Sequence, residues 1–240
     1  MEHQGRELRH ELKFAINDIE HRYLRSRLKT LINQDLNVDS SGDYHIRSLY
    51  FDNYADSSYI DKEAGVFQRG KYRIRIYNKE DTVIKLEYKE KFDSYIAKTS
   101  RTISRSLYEQ ILHRQIRFSQ VKEDPFMLKF YLETKMNLLA PKVIVDYIRE
   151  PYVYPAGNVR ITFDKKLKAG IRELDIFARE PLMMTPQFSG TMILEVKYDD
   201  YIPEFIRRGL NLARHQQLAV SKYTICRDLR SAFDWRERNI

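Results

Sequence analysis

A single cysteine, Cys226, leaves no partner for a disulfide within the chain and no cysteine-based zinc site. It reads as a packed thiol, and a reducing, cytoplasmic compartment is expected. No stretch approaches the ~20 apolar residues that a membrane-spanning helix needs. The opening residues, MEHQGRELRHELKF, hold no apolar run, so no secretory signal is expected. Glycine and proline are sparse, 8 and 7 in 240 residues, which argues against low-complexity segments and long disordered linkers. Neither a P-loop nor a GxGxxG turn is present, so any phosphate binding falls to side chains. The six histidines show no metal-ligand spacing such as HExxH. No Ser-His-Asp arrangement is legible.

What the chain has instead is organised positive charge. Lys and Arg number 42 against 34 Asp and Glu, a net charge of +8 that favours an anionic partner. Two strand-like segments concentrate it, Lys71-Tyr72-Arg73-Ile74-Arg75-Ile76-Tyr77 and Ile84-Lys85-Leu86-Glu87-Tyr88-Lys89-Glu90-Lys91. Side chains alternate faces along a strand. Lys71, Arg73 and Arg75 therefore share one face, as do Lys85, Glu87, Lys89 and Lys91. Like charges set opposite each other weaken strand pairing, so an ordinary solvated face mixes signs. A face this basic suggests phosphate lying across a sheet, bound by arginine forks and lysine point charges. A plain solvated basic face is the alternative.

The coarse pattern is a single domain over residues 1–240, with about eight strands and four or five helices. Strands are expected at 8–15, Tyr44–Asp52, 69–78, 82–91, 94–103, Lys142–Arg149, Asn158–Asp164 and Thr191–Tyr198. Helices are expected at 18–33, 105–117, 125–139, 203–214 and 220–234, and 56–64 is left open as a short helix ended by Gly65. Asp18 is the expected cap of the first, with Ile19 and Tyr23 on its apolar side. Pro151, Pro155 and Gly157 mark a turn. Strands come in runs rather than alternating with helices, which indicates an antiparallel α+β architecture. Charged residues recur on one face of nearly every strand, among them Glu11 and Lys13, Arg47, Arg149, Arg160, and Glu195 with Lys197. Eight strands can close into a barrel whose interior holds side chains or one small ligand. An interior that basic is costly when empty. Glu195 is a candidate ligand for a divalent metal bridging phosphate oxygens. Glu87 and Glu11 either assist it or pair with lysines. Nucleic acid is not expected as partner, since no recognisable nucleic-acid signature appears.

Taken in order, RHELKF (9–14), RSLYFDN (47–53), KYRIRIY (71–77), IKLEYKEK (84–91), PKVIVDYIREPYVYPAGNVRITFD (141–164), ILEVKYDDYIPEFI (193–206) and SKYTICR (221–227) resemble the VTC domain. That domain is the polyphosphate polymerase domain of the triphosphate tunnel metalloenzyme superfamily. The resemblance implies an antiparallel β-barrel tunnel with flanking helices, open at both ends, that binds ATP with Mn²⁺ or Mg²⁺. It implies phosphate contacts from Lys13, Arg47, Arg73, Arg75, Lys85, Lys98, Arg149, Arg160, Ser221 and Lys222. Arg73, Arg75, Lys85 and Lys222 would act in catalysis and Glu195 would hold the metal. The implied reaction moves the γ-phosphate of ATP onto a growing inorganic polyphosphate chain and releases ADP. Triphosphatase relatives carry two alternating glutamates before the first-strand lysine. Here Arg9 stands in one of those places, which favours synthesis over hydrolysis. A triphosphate or short-polyphosphate hydrolase and a non-catalytic polyphosphate- or nucleotide-binding module stay open. The chain resembles the free-standing bacterial form, so any membrane partner would be separate.

Overall fold

The computed structural model describes residues 2–3, 6–93, 95–186 and 191–238. Its frame is eight long strands: β1 (Arg9–Ile16), β2 (Tyr44–Asp52), β3 (Gln68–Tyr77), β4 (Ile84–Phe92), β5 (Tyr95–Ile103), β6 (Ala140–Tyr154), β7 (Val159–Gly170) and β8 (Met192–Tyr198). They hydrogen-bond in the order β7-β8-β1-β5-β4-β3-β2-β6, and a further β6–β7 pairing brings the two ends together. Every pairing is antiparallel. Closure leaves no long edge to be satisfied by another chain. The thinnest seam is β1–β5, stitched by Arg9↔Ile96 and His10↔Tyr95.

Among the described residues, six helices accompany the ring: α1 (Asp18–Leu31), α2 (Ser57–Glu63), α3 (Arg105–Leu112), α4 (Pro125–Met136), α5 (Glu204–Leu210) and α6 (Lys222–Arg238). Alternation sorts the packing. Leu49, Phe51, Tyr72, Ile74, Ile76 and Leu86 point outward and meet Tyr108 and Ile111 of α3 and Phe126 and Phe130 of α4. Phe14, Ile161, Phe163, Leu194 and Val196 point outward on the other side, against Leu24 and Leu28 of α1 and Ile206 and Leu210 of α5. A third cluster lies on the inward face, where Tyr223 and Cys226 of α6 pack on Ile46, Val143, Val145 and Ala169. One helix therefore lies against the ring's interior rather than around it. Gly70 is required where it sits, because a Cβ there would lie 2.0 Å from the Tyr88 hydroxyl. Among the described residues, no helix is long and apolar enough to cross a membrane.

Several boundaries depart from the pattern in the sequence. The cap of α1 is Asn17, not Asp18. The Asn17 side chain accepts from the backbone of Ile19 and Glu20, and Glu20 reaches back to complete a capping box. Ile19 and Tyr23 face solvent, and His21, Leu24 and Leu28 face the core. The third and fourth helices stop at Leu112 and Met136, before 117 and 139. β6 runs through Pro151 to Tyr154 instead of turning there. The Pro151 carbonyl faces the side where β2 has already ended at Tyr44, so the missing N–H breaks no ladder bond. Residue 94, the expected start of the fifth strand, lies outside the described residues.

Candidate functional site

The inward faces of the ring enclose a cavity of about 920 Å³. Among the described residues, fifteen lysines and arginines line it against two carboxylates, Glu11 and Glu195. The volume is ordinary for a small-ligand site, but the lining is not the usual apolar one. Alternation explains the charge. On β3 the inward residues are Lys71, Arg73 and Arg75, while Tyr72, Ile74 and Ile76 serve the outer core. Glu87 and Lys89 do the same on β4, opposite Arg73 and Lys71.

Four carboxylates hold about half of these cations in place. Glu87, fully buried, accepts from Arg73 Nε at 2.7 Å and Lys98 Nζ at 3.1 Å. Asp164 takes a bidentate fork from Arg149 at 2.6 and 2.8 Å and an ion pair from Lys222 at 2.5 Å. On β1 and β8, Glu11 and Glu195 alternate with Lys13 and Lys197 across the strand pair. Glu11 lies 2.6 Å from Lys89 and 3.2 Å from Lys13, and Glu195 lies 2.6 Å from Lys197. Burial alone would raise the pKa of Glu11 and Glu195. Lys13 and Lys89 at Glu11, and Lys197 and Lys222 at Glu195, outweigh it and keep both ionised.

Not every cation is answered. Arg75 is held by two hydroxyls, Ser48 at 3.2 Å and Tyr147 at 3.1 Å, and its nearest carboxylate, Glu87, is 4.0 Å away. Lys71 donates to the Ser221 hydroxyl at 3.0 Å and sits 4.8 Å from the Tyr223 ring centroid. Burial, then the repulsion of Lys13 and Lys89, pushes the Lys71 pKa down to about 7. Lys89 is also pushed down to about 7, by burial first and by Lys13 and Lys197, with only partial relief from Glu11. Lys222 moves the other way: Asp164 and Glu195 overcome burial and raise it.

Of the residues singled out from sequence, the structure gathers Lys13, Arg73, Arg75, Lys98, Arg149, Arg160, Ser221, Lys222 and Glu195 around this cavity. It does not bring Arg47 there. Tyr44, Ser48 and Tyr50 are the inward residues of β2, so Arg47 falls on the outer face with Leu49 and Phe51. Arg47 is buried against Asp146 at 2.7 Å and the Ile176 carbonyl at 3.0 Å. Lys85 shares the inward parity of Glu87, pairs with Arg75 and Thr102, and lies beyond the cavity lining. Sequence reasoning missed Asp164, Thr162, Tyr50 and Tyr147. The alternation Arg160-Thr162-Asp164 was a usable signal for the first two.

Among the described residues there is no cluster of three or more acidic, histidine or cysteine side chains. A hard divalent cation needs only one or two carboxylates when substrate phosphates supply further oxygens. Glu195 and Glu11 meet that need. Thr162 adds an observation: among the described residues its Oγ1 is buried without a partner, and the residue pairs directly with Glu195 across β7 and β8. A buried orphan hydroxyl is costly, and a cation or its water would satisfy it. The residues fit such a metal.

A second charged cluster lies behind the wall and serves a different purpose. Glu150 is fully buried and accepts from His21 at 3.0 Å, Arg25 at 2.7 Å, Lys165 at 3.0 Å and the Tyr152 hydroxyl at 2.7 Å. Removing one member of such a cluster strands the others. Glu150→Ala is expected to cost about 3–5 kcal/mol of stability. Turnover per folded molecule should be unchanged; urea denaturation and a specific-activity assay check both.

The VTC domain family matches the chain over residues 8–229. Among solved structures, a proposed adenylate cyclase from Bacillus halodurans is similar at 13% identity and a TM-score of 0.51, covering 91% of this chain and 96% of that one. A protein from Pyrococcus horikoshii aligns at 14% identity and a TM-score of 0.47, covering 90% of this chain and 97% of that one. No curated protein matches. At these identities the structural likeness speaks for the fold alone. The match over residues 8–229 covers the ring, the cavity and the start of α6, and the chain belongs to the VTC domain family.

Proposed function

We propose that this protein is a polyphosphate polymerase that transfers the γ-phosphate of ATP to inorganic polyphosphate with the help of Mn²⁺ or Mg²⁺. The observation that carries the reading is the fifteen-to-two excess of cations over carboxylates, among the described residues, inside a closed ring. VTC and CYTH proteins are in general divalent-metal enzymes acting on triphosphates, and membership supports the same here.

Phosphoryl transfer needs little covalent help from a protein; positioning and charge stabilisation do most of it. An oxygen of the acceptor chain's terminal phosphate attacks the γ-phosphorus. The bond from that phosphorus to the oxygen bridging the β-phosphate breaks, and ADP leaves with the electron pair. The chain lengthens by one phosphate. Arg75 and Lys71, held in the ring's interior by hydroxyls rather than by a carboxylate at hydrogen-bond distance, are the readiest donors to the transferred group. Arg73, Arg149 and Lys222 are pre-aimed by Glu87 and Asp164. Glu195, with Glu11 and Thr162 beside it, would hold the metal, which supplies charge neutralisation across neighbouring phosphates. At position 9 a guanidinium replaces a carboxylate, and it is engaged with Asp199 at 2.8 Å. Among the described residues the cavity wall is therefore short of carboxylates for activating water, which favours transfer to phosphate over hydrolysis.

Incubation with ATP and Mn²⁺, with and without a short polyphosphate primer, tests this on a gel. A ladder of long chains with matching ADP is expected. Orthophosphate without chains means a hydrolase. Tight polyphosphate binding without ATP consumption means a binding module.

The depressed lysines set a pH dependence. Near pH 6 Lys71 and Lys89 are charged; above their value of about 7 they lose protons. A bound polyanion favours the charged forms, so binding takes up protons. Tripolyphosphate affinity should fall roughly tenfold or more as pH rises from about 7 to about 8.5. Calorimetry in buffers of different ionisation enthalpy reads the uptake directly. The ligand-free protein should show the opposite trend. Its folded lysine pKa values lie below those of the unfolded chain, so stability increases as pH rises above about 7.

A further inference from the structure

Along β3 and β4, one inward pair beyond Lys71 and Lys89, the cavity wall changes character. Arg69 pairs across strands with Lys91, and both line the cavity together with Lys62 from the last turn of α2. All three are partly exposed. Elsewhere around the lining, Lys71 apart, exposed cations are answered: Arg9 by Asp199 at 2.8 Å, Arg160 by Asp35 at 2.7 Å, Arg101 by Asp124 at 2.6 Å and Lys98 by Glu87 at 3.1 Å. Here they are not. Among the described residues, Lys62 and Lys91 have no carboxylate partner, and Arg69 donates only to the Val66 carbonyl. The three repel one another, and Arg69 and Lys62 add to the effect of burial in depressing the Lys91 pKa.

A cavity of about 920 Å³ accommodates a triphosphate, not a long chain. A polyphosphate of more than a few units must leave through an opening. Like charges gathered at an opening without counter-charge destabilise the free protein and attract an extended polyanion.

We propose that Lys62, Arg69 and Lys91 form a rim site for inorganic polyphosphate, holding the stretch of chain that lies outside the cavity. This rests on the reading of the cavity as a polyphosphate site. The rim distinguishes long chains from short ones: tripolyphosphate stays inside, and only a longer chain reaches the three side chains.

The test is the triple variant Lys62→Gln, Arg69→Gln and Lys91→Gln, with Arg69→Gln alone beside it. Removing mutually repelling surface charges should leave Tm equal or higher, so misfolding does not confound the result. Affinity for long-chain polyphosphate should fall by ~10-fold or more, and the slope of log affinity against log salt should shrink by about 2. Tripolyphosphate affinity should fall by a clearly smaller factor, since three phosphates reach fewer of the lining cations than a long chain does. Equal losses for both ligands, or no loss, overturn the rim. So does a loss for a charge-matched oligonucleotide without a loss for polyphosphate, which would make this a nucleic-acid surface. Failure of the underlying reading looks different: wild-type protein that binds long chains through the rim but makes none on the gel keeps the rim and loses the polymerase.

Discussion

Arg75→Ala is expected to lower turnover by at least about 10²-fold and to leave the ring folded, the scale seen when one preorganised donor to developing charge is lost. The asymmetry follows from its partners. Arg75 is buried but answers no carboxylate at hydrogen-bond distance; two hydroxyls, from Ser48 and Tyr147, hold it. Removing it relieves repulsion with Arg73 and strands no buried anion. Arg73→Ala should be as damaging to turnover and harsher on the fold, because Glu87 would keep only Lys98 at 3.1 Å and Arg75 at 4.0 Å. Turnover numbers beside Tm for the two variants separate these effects. Wild-type turnover in Arg75→Ala would rule out the cavity as the reaction site.

Glu195→Gln is the second large effect. The amide is a poor ligand for a hard cation, so Mn²⁺ binding should be lost, and with it several kcal/mol of charge stabilisation, more than about 10²-fold in rate. Polyphosphate affinity without metal should hold or rise, since one negative charge leaves a wall shared with Lys13, Lys197 and Arg149. Paramagnetic titration of Mn²⁺ and equilibrium binding of polyphosphate read the two halves separately. A Glu195→Gln variant that binds Mn²⁺ as wild type contradicts the assignment. A variant that loses polyphosphate affinity in step with metal would mean that Glu195 supports the wall rather than the cation.

The strand period made much of this legible in the sequence. Lys71, Arg73 and Arg75 against Tyr72, Ile74 and Ile76 need only alternation to be sorted, and the structure sorts them that way. The same rule failed at Arg47 because a lone arginine among His45, Ser48 and Tyr50 carries no signal of which face turns inward. That parity is set by Ile46, Val143 and Val145 meeting α6, a contact between distant segments. Alternation also does not say where a cavity ends, which is why Lys85 has the right parity and lies outside the lining. The counter-ions were hidden for a related reason. Asp164 engages Arg149 and Lys222 only after β6, β7 and α6 come together. The caps were closer to hand: Asn17 and Glu20 form an N-x-x-E spacing one residue ahead of the assumed helix start.

The most direct measurement is a crystal structure with a non-hydrolysable ATP analogue and Mn²⁺. The account predicts the triphosphate inside the ring, its terminal phosphate against Arg73 and Arg75, with Lys71 near, and the cation on Glu195. A triphosphate bound on the outer face, or one inside whose terminal phosphate does not touch Arg75, would contradict it.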